Sequence, residues 1–516
     1  MGCYVIAVGG TGNKILESLV YAACADVFGG VSHLDMLSVD VDASCGNTTR
    51  AKRAAECYQN VREALETGAP PHRCFHTAVN VRQWDMNLSR RAASVEKMAQ
   101  NHSRDRLLAR TLFTPAEARL EYSEGFRGHP DLGVLFFADL LSSLEKRRQS
   151  GQPDELNAML DRMEADMQNG REVRVLLCGS IFGGTGASGI PAISKYLRSR
   201  FSGDLFTLGG LLMLPYYSVP RADVDESREI AVSSDTFLDK ARTALQYYGM
   251  DGMIGSGGQD GIYDAVYLLG LPPEFFMPTH RYATGSQAQE NDAHLLEWLA
   301  ARCAVHFLST GFHGADRHNR DCYYYQWNTP QLSWACFDQD ALFYRDRYGA
   351  MLKAAVVYLT ECYPTLHGGV TAAKRSCLRV NYCAPYFSAP FSARQRALGE
   401  RRLDSLYRFF ALYAQWLRQV LTSLHPDLVG PSDGLFQRES LDILSRLLDG
   451  GCADQQACEQ LQRRLHQLVA GPLRDSRDIG WVIRGLGGGE GYTGDQIDGA
   501  FSAFVSTLMN VVMENP

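Results

Sequence analysis

The chain lacks every compact motif by which cysteine and histidine usually bind metal or carry redox chemistry. Its fourteen cysteines include no CxxC pair, and the nearest spacings, Cys377/Cys383 and Cys452/Cys458, are too loose for a zinc ribbon. The thirteen histidines offer no HExxH; His313 and His318 would share a face only on a helix, which Gly311 and Gly314 oppose. Free thiols buried in a reducing cytosol are therefore expected, and a cytoplasmic location with them. No apolar run reaches the roughly 18 residues of a membrane span. The first apolar segment, Cys3–Val8, has no charged leader and runs straight into glycines, so it reads as a strand rather than a signal peptide. Ile6 stands where a myristoylation motif carries Ser or Thr. Charge of neither sign dominates: 51 Lys and Arg against 58 Asp and Glu leave a net charge of −7. That excludes a broad basic surface for nucleic acid and is too mild for acidic disorder. Arg90, Arg91, Arg104, Arg106, Arg110 and Arg119 are interleaved with acids and have few aromatics among them, the pattern of a solvated helix face.

What is present is a globular composition, 45% hydrophobic and 21% charged, in a chain of 516 residues with room for two or three domains. The most informative stretch is Val175–Pro191, VLLCGSIFGGTGASGIP. Val175–Cys178 reads as a buried strand, and Ile190–Arg200 as a helix with Pro191 in its first turn. Between them lie Gly183, Gly184, Thr185, Gly186, Ala187, Ser188 and Gly189. Small residues between a strand and a helix N-terminus let peptide N–H groups approach an anion, and the helix dipole adds partial positive charge. Thr185 and Ser188 add hydroxyls. The loop has no GK[ST], so no lysine within it neutralises phosphate, and Ile190 stands where a GxSxG elbow needs glycine. An ordinary tight turn is the plain alternative.

Similar arrangements lie on either side in the sequence. Cys3–Val8 leads into Gly9-Gly10-Thr11-Gly12-Asn13 and a helix from Lys14 to Ala25. Alone this begins like a Rossmann fingerprint, with Ile15 at the third glycine position. A second strand, His33–Asp42, ends in Asp40-Val41-Asp42-Ala43, where an acid would suit a ribose hydroxyl. Gly125-Phe126-Arg127-Gly128-His129-Pro130-Asp131 reads as a turn before the helix Val134–Arg148. Leu205–Leu214 and Ala265–Leu271 read as further strands, and Asp235–Tyr248 and Asn291–Ser309 as helices. Taken plainly, Asn291-Asp292 is a helix cap with an acid in the first turn.

In this order the motifs resemble the tubulin/FtsZ superfamily of GTP-binding proteins over about residues 3–320, and Gly183–Gly189 closely resembles its GGTG[ST]G signature. The resemblance implies an α/β fold: a tubulin/FtsZ-like nucleotide-binding domain with a parallel sheet at 1–310, carrying an insertion at about 44–124. A mainly helical C-terminal domain would follow at 311–516. It implies GTP or GDP with Mg²⁺, the phosphates being held by Gly9, Gly10, Thr11, Gly12 and Asn13 and by Gly183, Gly184, Thr185, Gly186, Ala187 and Ser188. Asp42 and Ala43 would lie near the metal. Gly128, Pro130 and Asp131 match a third phosphate loop, with His129 where Asn is usual. Asn291 and Asp292 match the start of the family's core helix, whose aspartate reads guanine. The aromatic that stacks on the base is replaced by Ala288, with Tyr282 as a substitute. Asp316, in Gly311–Asn319, matches an acid that enters the next protomer's site and activates water, although Gly314 replaces Asn and Asn319 the later acid. The implied function is a GTPase that self-associates head to tail. Two alternatives stay open: a non-polymerising nucleotide-binding module acting with a protein partner through the helical domain, and an NAD-type enzyme suggested by residues 5–42 alone.

Beyond residue 320 short strands are expected at Leu332–Phe337 and Cys377–Tyr382, then helices at Ala341–Cys362, Ala393–Leu424, Ser440–Leu448, Gln455–Ala470 and Gln496–Met513. Leu403, Leu406, Phe409, Phe410, Tyr413 and Leu417 recur at helical spacing and predict one buried stripe. Gly485–Gly494 (GLGGGEGYTG) reads as a flexible linker or lid.

Overall fold

A computed structural model describes residues 1–42, 45–66, 74–86, 94–99, 103–219, 234–250, 252–254, 261–278, 291–310, 321–324, 333–367, 381–429, 434–450, 454–469 and 478–513. Seven strands form one sheet: β1 (Gly2–Val8), β2 (His33–Val39), β3 (Ala78–Gln83), β4 (Val173–Ser180), β5 (Phe206–Met213), β7 (Ala265–Leu269) and β9 (Asp321–Tyr324). Tyr217–Ser218 (β6) and Met277–Pro278 (β8) pair separately. The sheet runs β3-β2-β1-β4-β5-β7-β9, and the pairings from β2 through to β9 are parallel. β1, β4 and β5 are buried along their whole length. A strand covered on both faces needs an unbroken apolar run rather than alternation, and GCYVIAV and VRVLLCGS come close to that.

Seven helices matter for the site: α1 (Gly9–Cys24), α2 (Gly46–Glu66), α3 (Pro130–Gln149), α4 (Glu155–Gln168), α5 (Thr185–Arg200), α6 (Phe237–Met250) and α7 (Leu295–Ser309). β1 pairs with β2 on one side and β4 on the other, so strand order reverses between β1 and β4. Open parallel sheets take ligands at the carboxyl ends of strands beside such a reversal. The register aligns Val8 with Gly179, so α1 and α5 begin at the same level. Missing side chains make this closeness possible. A Cβ on Gly12 would lie 2.8 Å from the Cys178 carbonyl, and one on Gly186 would lie 2.2 Å from that of Ser180.

Several boundaries differ from the sequence expectation. α1 begins at Gly9 rather than Lys14, and α5 at Thr185 rather than Ile190, so both glycine loops are themselves first helical turns. α7 begins at Leu295: His294 accepts from the Leu296 N–H through Nδ1 (3.1 Å), while Glu297 accepts from the His294 N–H (2.8 Å). Asn291 and Asp292 therefore precede the cap instead of forming it. β3 was unforeseen; the Ala78 and Trp84 N–H groups, donating to the Ser32 and Ser38 carbonyls at 2.8 and 2.9 Å, bracket it.

By compactness the chain divides into a unit of Met1–Leu19, His33–Lys52 and Asn80–Gln326 and another of Val20–Ser32, Arg53–Val79 and Trp327–Pro516. In the second unit the helix Ala393–Thr422 buries Leu403, Leu406, Phe409, Phe410, Tyr413 and Leu417, the stripe their spacing predicts. Phe409 packs 5.4 Å from Phe75, and Trp416 packs 4.9 Å from Tyr21. The strand expected at Leu332–Phe337 is instead the 3₁₀ turn Trp334–Asp340, which brings Trp334 and Phe337 within 5.7 Å on one face. Most of Cys377–Tyr382 lies outside the described residues, as do His313 and His318. Gly485–Gly494 is no free linker. Its first residues close the helix Ile479–Gly487, and the Tyr492 N–H donates to the Pro385 carbonyl at 2.7 Å. Eleven cysteines have described side chains, all free and nine of them buried. Among the described residues no helix is long and apolar enough to cross a membrane.

Candidate functional site

A cleft with about 110 Å³ of free space inside it opens at the carboxyl ends of β1 and β4. Three glycine turns wall it. Gly9, Gly10 and Thr11 come from the start of α1, and Gly183, Gly184, Thr185 and Gly186 from the start of α5. Gly125 and Gly128 come from the turn before α3. The turns touch one another. Gly9 has φ +77°, and a Cβ there would lie 3.3 Å from the Gly186 nitrogen. One on Gly184 would lie 3.2 Å from the Gly128 nitrogen. First-turn N–H groups have no partner within their own helix, and two helix dipoles point their positive ends here.

Charge of both signs lines the cleft. Asp40 and Asp42 follow β2, and the Asp42 N–H donates to Asp40 Oδ1 at 3.3 Å. Burial, and then the charge of Asp42, pushes the Asp40 carboxyl up to about 7. Arg127 and Lys14 supply positive charge from outside the Gly183–Gly189 loop, which itself contains no lysine. Lys14 lies one turn beyond Gly10 on α1, where residues four apart share a face. Its ammonium is buried in an ion pair with Glu297 and donates to the Asp292 carbonyl at 3.0 Å. Glu297 also accepts from the Tyr216 hydroxyl. Burial, and then the charge of Lys14, pushes His294 down to about 3, so the imidazole is neutral.

Asn47 lies against the first glycine turn, its Nδ2 3.4 Å from where a Cβ on Gly10 would be, and its Oδ1 accepts from the Asn291 N–H at 3.1 Å. Arg50, paired with Glu17 at 2.7 Å, donates to the Asn291 carbonyl at 3.0 Å. The Asn291 Oδ1 is buried and has no hydrogen-bond partner. Phe182, Tyr217 and Phe237 form an aromatic wall, Phe182 lying 4.9 Å from Phe237 and 5.8 Å from Tyr217 between ring centroids.

Of the residues singled out in the sequence, Gly9, Gly10, Thr11, Asp42, Gly128, Gly183, Gly184, Thr185, Gly186 and Asn291 line this one cleft. Gly12 packs against the backbones of β1 and β4 instead. Asn13 is buried beneath the turn, donating to the Gly9 carbonyl (3.2 Å) and Thr48 (2.9 Å) and accepting from Ser38 (2.6 Å). Pro130, Asp131, Ala187 and Ser188 border a neighbouring apolar groove between α3, α5 and α6. Asp292 meets the site through its carbonyl, on Lys14. Ala43, Tyr282, Ala288 and Asp316 lie outside the described residues. Lys14, Asn47 and the aromatic wall escaped the sequence reading. The Gly10-to-Lys14 spacing was a usable signal for the first, and nothing local marks the others. Among the described residues one group has metal-ligating composition, Glu117, His129 and Asp131, with ligand atoms within 4.8 Å of one another.

No protein-family model and no curated protein matches the chain. Among solved structures it is distantly similar to CetZ2 from Haloferax volcanii, in a GTPgS-bound protofilament. The identity is 16% and the TM-score 0.30, over 62% of this chain and 64% of that one. The chain thus spans somewhat under two thirds of that protein's length.

Proposed function

We propose that the cleft binds a nucleoside triphosphate, GTP with Mg²⁺, and that the protein is a tubulin/FtsZ-like GTPase that associates head to tail. One observation carries the proposal: three glycine turns separated in sequence converge on one cleft at the strand-order reversal. Polyphosphate would lie across the N–H groups of Gly10–Thr11, Gly128 and Gly184–Gly186, where fixed dipoles need no rearrangement to meet it. The buried carboxylates of Asp40 and Asp42 repel each other, a donor set that suits a divalent cation carried in with the phosphates. The Asn291–Asp292 segment would meet the base, with Phe182, Tyr217 and Phe237 as the flat surface beside it. Asp316, supplied by a neighbouring copy, would orient the attacking water.

The ligand is identified by denaturing the purified protein and separating what is released by chromatography. Guanine nucleotide is expected; NAD would overturn the proposal. Assembly is tested by pelleting and light scattering with GTP, GDP and a non-hydrolysable analogue. Binding without any assembly would leave the nucleotide site standing and replace the filament with a module that acts through a partner protein.

A further inference from the structure

The helix Ser103–Leu112 sits in the structure the wrong way out for its sequence. Arg104, Arg106 and Arg110 are exposed, as their interleaving with acids predicts. The leucines are exposed too: Leu107 at 68%, Leu108 at 50% and Leu112 at 67%. Ala109, and Phe113 just past the end of the helix, pack against the core. A ten-residue helix is marginal in water on its own and normally gains stability by burying an apolar face. Here the side chains best suited to that face point away from the core. Arg104, Leu108 and Leu112 recur every four residues and so form one ridge, about 12 Å long at about 1.5 Å per residue.

The apolar groove between α3, α5 and α6 has the shape to take such a ridge. It holds about 700 Å³ of free space, against about 110 Å³ in the glycine-walled cleft. Small side chains open it: Ala138 on α3, Ala187, Pro191 and Ala192 on α5, and Ala244 on α6. The lining runs from Pro130 to Ala138 on α3 and from Ala187 to Lys195 on α5, in each case again about 12 Å. The two ends of the groove differ in charge. At one end the starts of the three helices meet. A Cβ on Gly184, before α5, would lie 3.2 Å from the Gly128 nitrogen, before α3, and Lys240 of α6 donates to the Gly128 carbonyl at 2.9 Å. Asp131 and Asp239 line the groove there, and the ammonium of Lys240 is committed to that carbonyl. Lys195, donating to the Tyr247 hydroxyl at 2.6 Å, lines the other end.

We infer that the groove receives the helix Ser103–Leu112 of a second copy of this chain. Leu108 and Leu112 bury against the small side chains, and Arg104 meets Asp239. The last carbonyls of the incoming helix then lie toward Lys195, the charge arrangement its dipole favours. The helix does not occupy its own groove, because its leucines are exposed in the folded chain. Helix and groove are different surfaces, so the contact forms twice about a two-fold axis or repeats from copy to copy. No nucleotide takes part, and the inference stands apart from the proposed GTP site.

The test is sedimentation velocity on the full chain over a concentration series, at low salt and without nucleotide or Mg²⁺. The parent should self-associate. Leu108→Glu/Leu112→Glu should weaken association at least about tenfold, with an unchanged melting curve because both side chains are exposed. Leu342→Glu, at an exposed leucine of the second compact unit, should associate as the parent does. Arg104→Asp and Asp239→Arg should each weaken association about two- to fivefold, the weight of an exposed ion pair, and the double variant carrying both should recover it. A parent that stays monomeric throughout the series would overturn the inference. So would a leucine variant that associates like the parent, or a double variant no better than the single ones. If the leucine variant does not fold, the charge exchange decides alone. A monomeric parent that binds a naphthalene sulfonate dye, with binding lost in Thr243→Arg, would also overturn it by giving the groove to an apolar small molecule.

Discussion

The contact between Gly9 and the start of α5 can be tested with a matched pair of substitutions. Gly9 has φ +77°, and its missing Cβ would lie 3.3 Å from the Gly186 nitrogen and 3.4 Å from the Thr185 Cβ. Gly29 also has positive φ, +57°, but nothing lies within 4 Å of where its Cβ would be. Alanine at either position incurs the left-handed backbone penalty, about 1–2 kcal/mol. Only Gly9→Ala additionally wedges a methyl group between two glycine turns of the cleft, where contacts at this distance require the neighbour to give way by a few tenths of an ångström. Close to backbone that cannot repack, the added cost is about 1 kcal/mol or more. Displacing N–H donors by that amount weakens several charge-assisted hydrogen bonds at once. The expected result is a loss of stability to chemical denaturation in both variants, larger for Gly9→Ala by about 1 kcal/mol or more. Affinity for a fluorescent GTP analogue should drop at least about tenfold in Gly9→Ala alone, the equivalent of about 1.4 kcal/mol. Equal nucleotide affinity in a folded Gly9→Ala protein would refute the convergence of the two turns on one ligand.

Asn13→Ala should destabilise the protein by about 2–4 kcal/mol in urea titrations, because it breaks three buried hydrogen bonds and orphans Ser38 and Thr48; a loss below about 1 kcal/mol would show that the network is not structural. His294 binds its proton only near pH 3 when folded, against about 6.5 unfolded, so its contribution to stability is complete above pH 6.5 and is lost as pH falls. His294→Asn, which keeps a capping acceptor, should therefore narrow the gap between stability at pH 7 and at pH 5 by about 2 kcal/mol, and parallel pH profiles for variant and parent would contradict this. Asp40, with its carboxyl near 7, acts in the opposite direction, its contribution declining as pH rises from about 4 to 7. Asp316→Ala should lower GTP turnover by about a hundredfold with nucleotide affinity unchanged; unaltered turnover would remove Asp316 from catalysis.

How much of this was legible in the sequence depends on how local each cause is. β1, β4 and β5 announce themselves as apolar runs, because burial on both faces leaves no alternation to confuse the reading. The glycine turns were legible for a similar reason: close approach of α1 and α5 to strand backbone demands absent side chains within a few residues of each strand end. Their extent was misjudged because glycine is a poor helix former, so Gly9–Asn13 and Thr185–Gly189 read as loops although tertiary packing makes them helical. Lys14 was hidden by its partner, Glu297, which lies far along the chain and gives no local sign of the pairing. Asn47 and the aromatic wall were invisible for the same reason. His294 as a cap escaped because Asn291 and Asp292, better cap formers, precede it by a few residues.

The most direct measurement is amide hydrogen exchange on the full chain with Mg²⁺, with and without a non-hydrolysable GTP analogue. If peptide N–H groups of separate glycine turns grip one polyphosphate, protection should rise together at Gly10–Asn13, around Gly128 and at Gly184–Gly186. Binding that leaves those amides unchanged, or protects one turn and not the others, would contradict it.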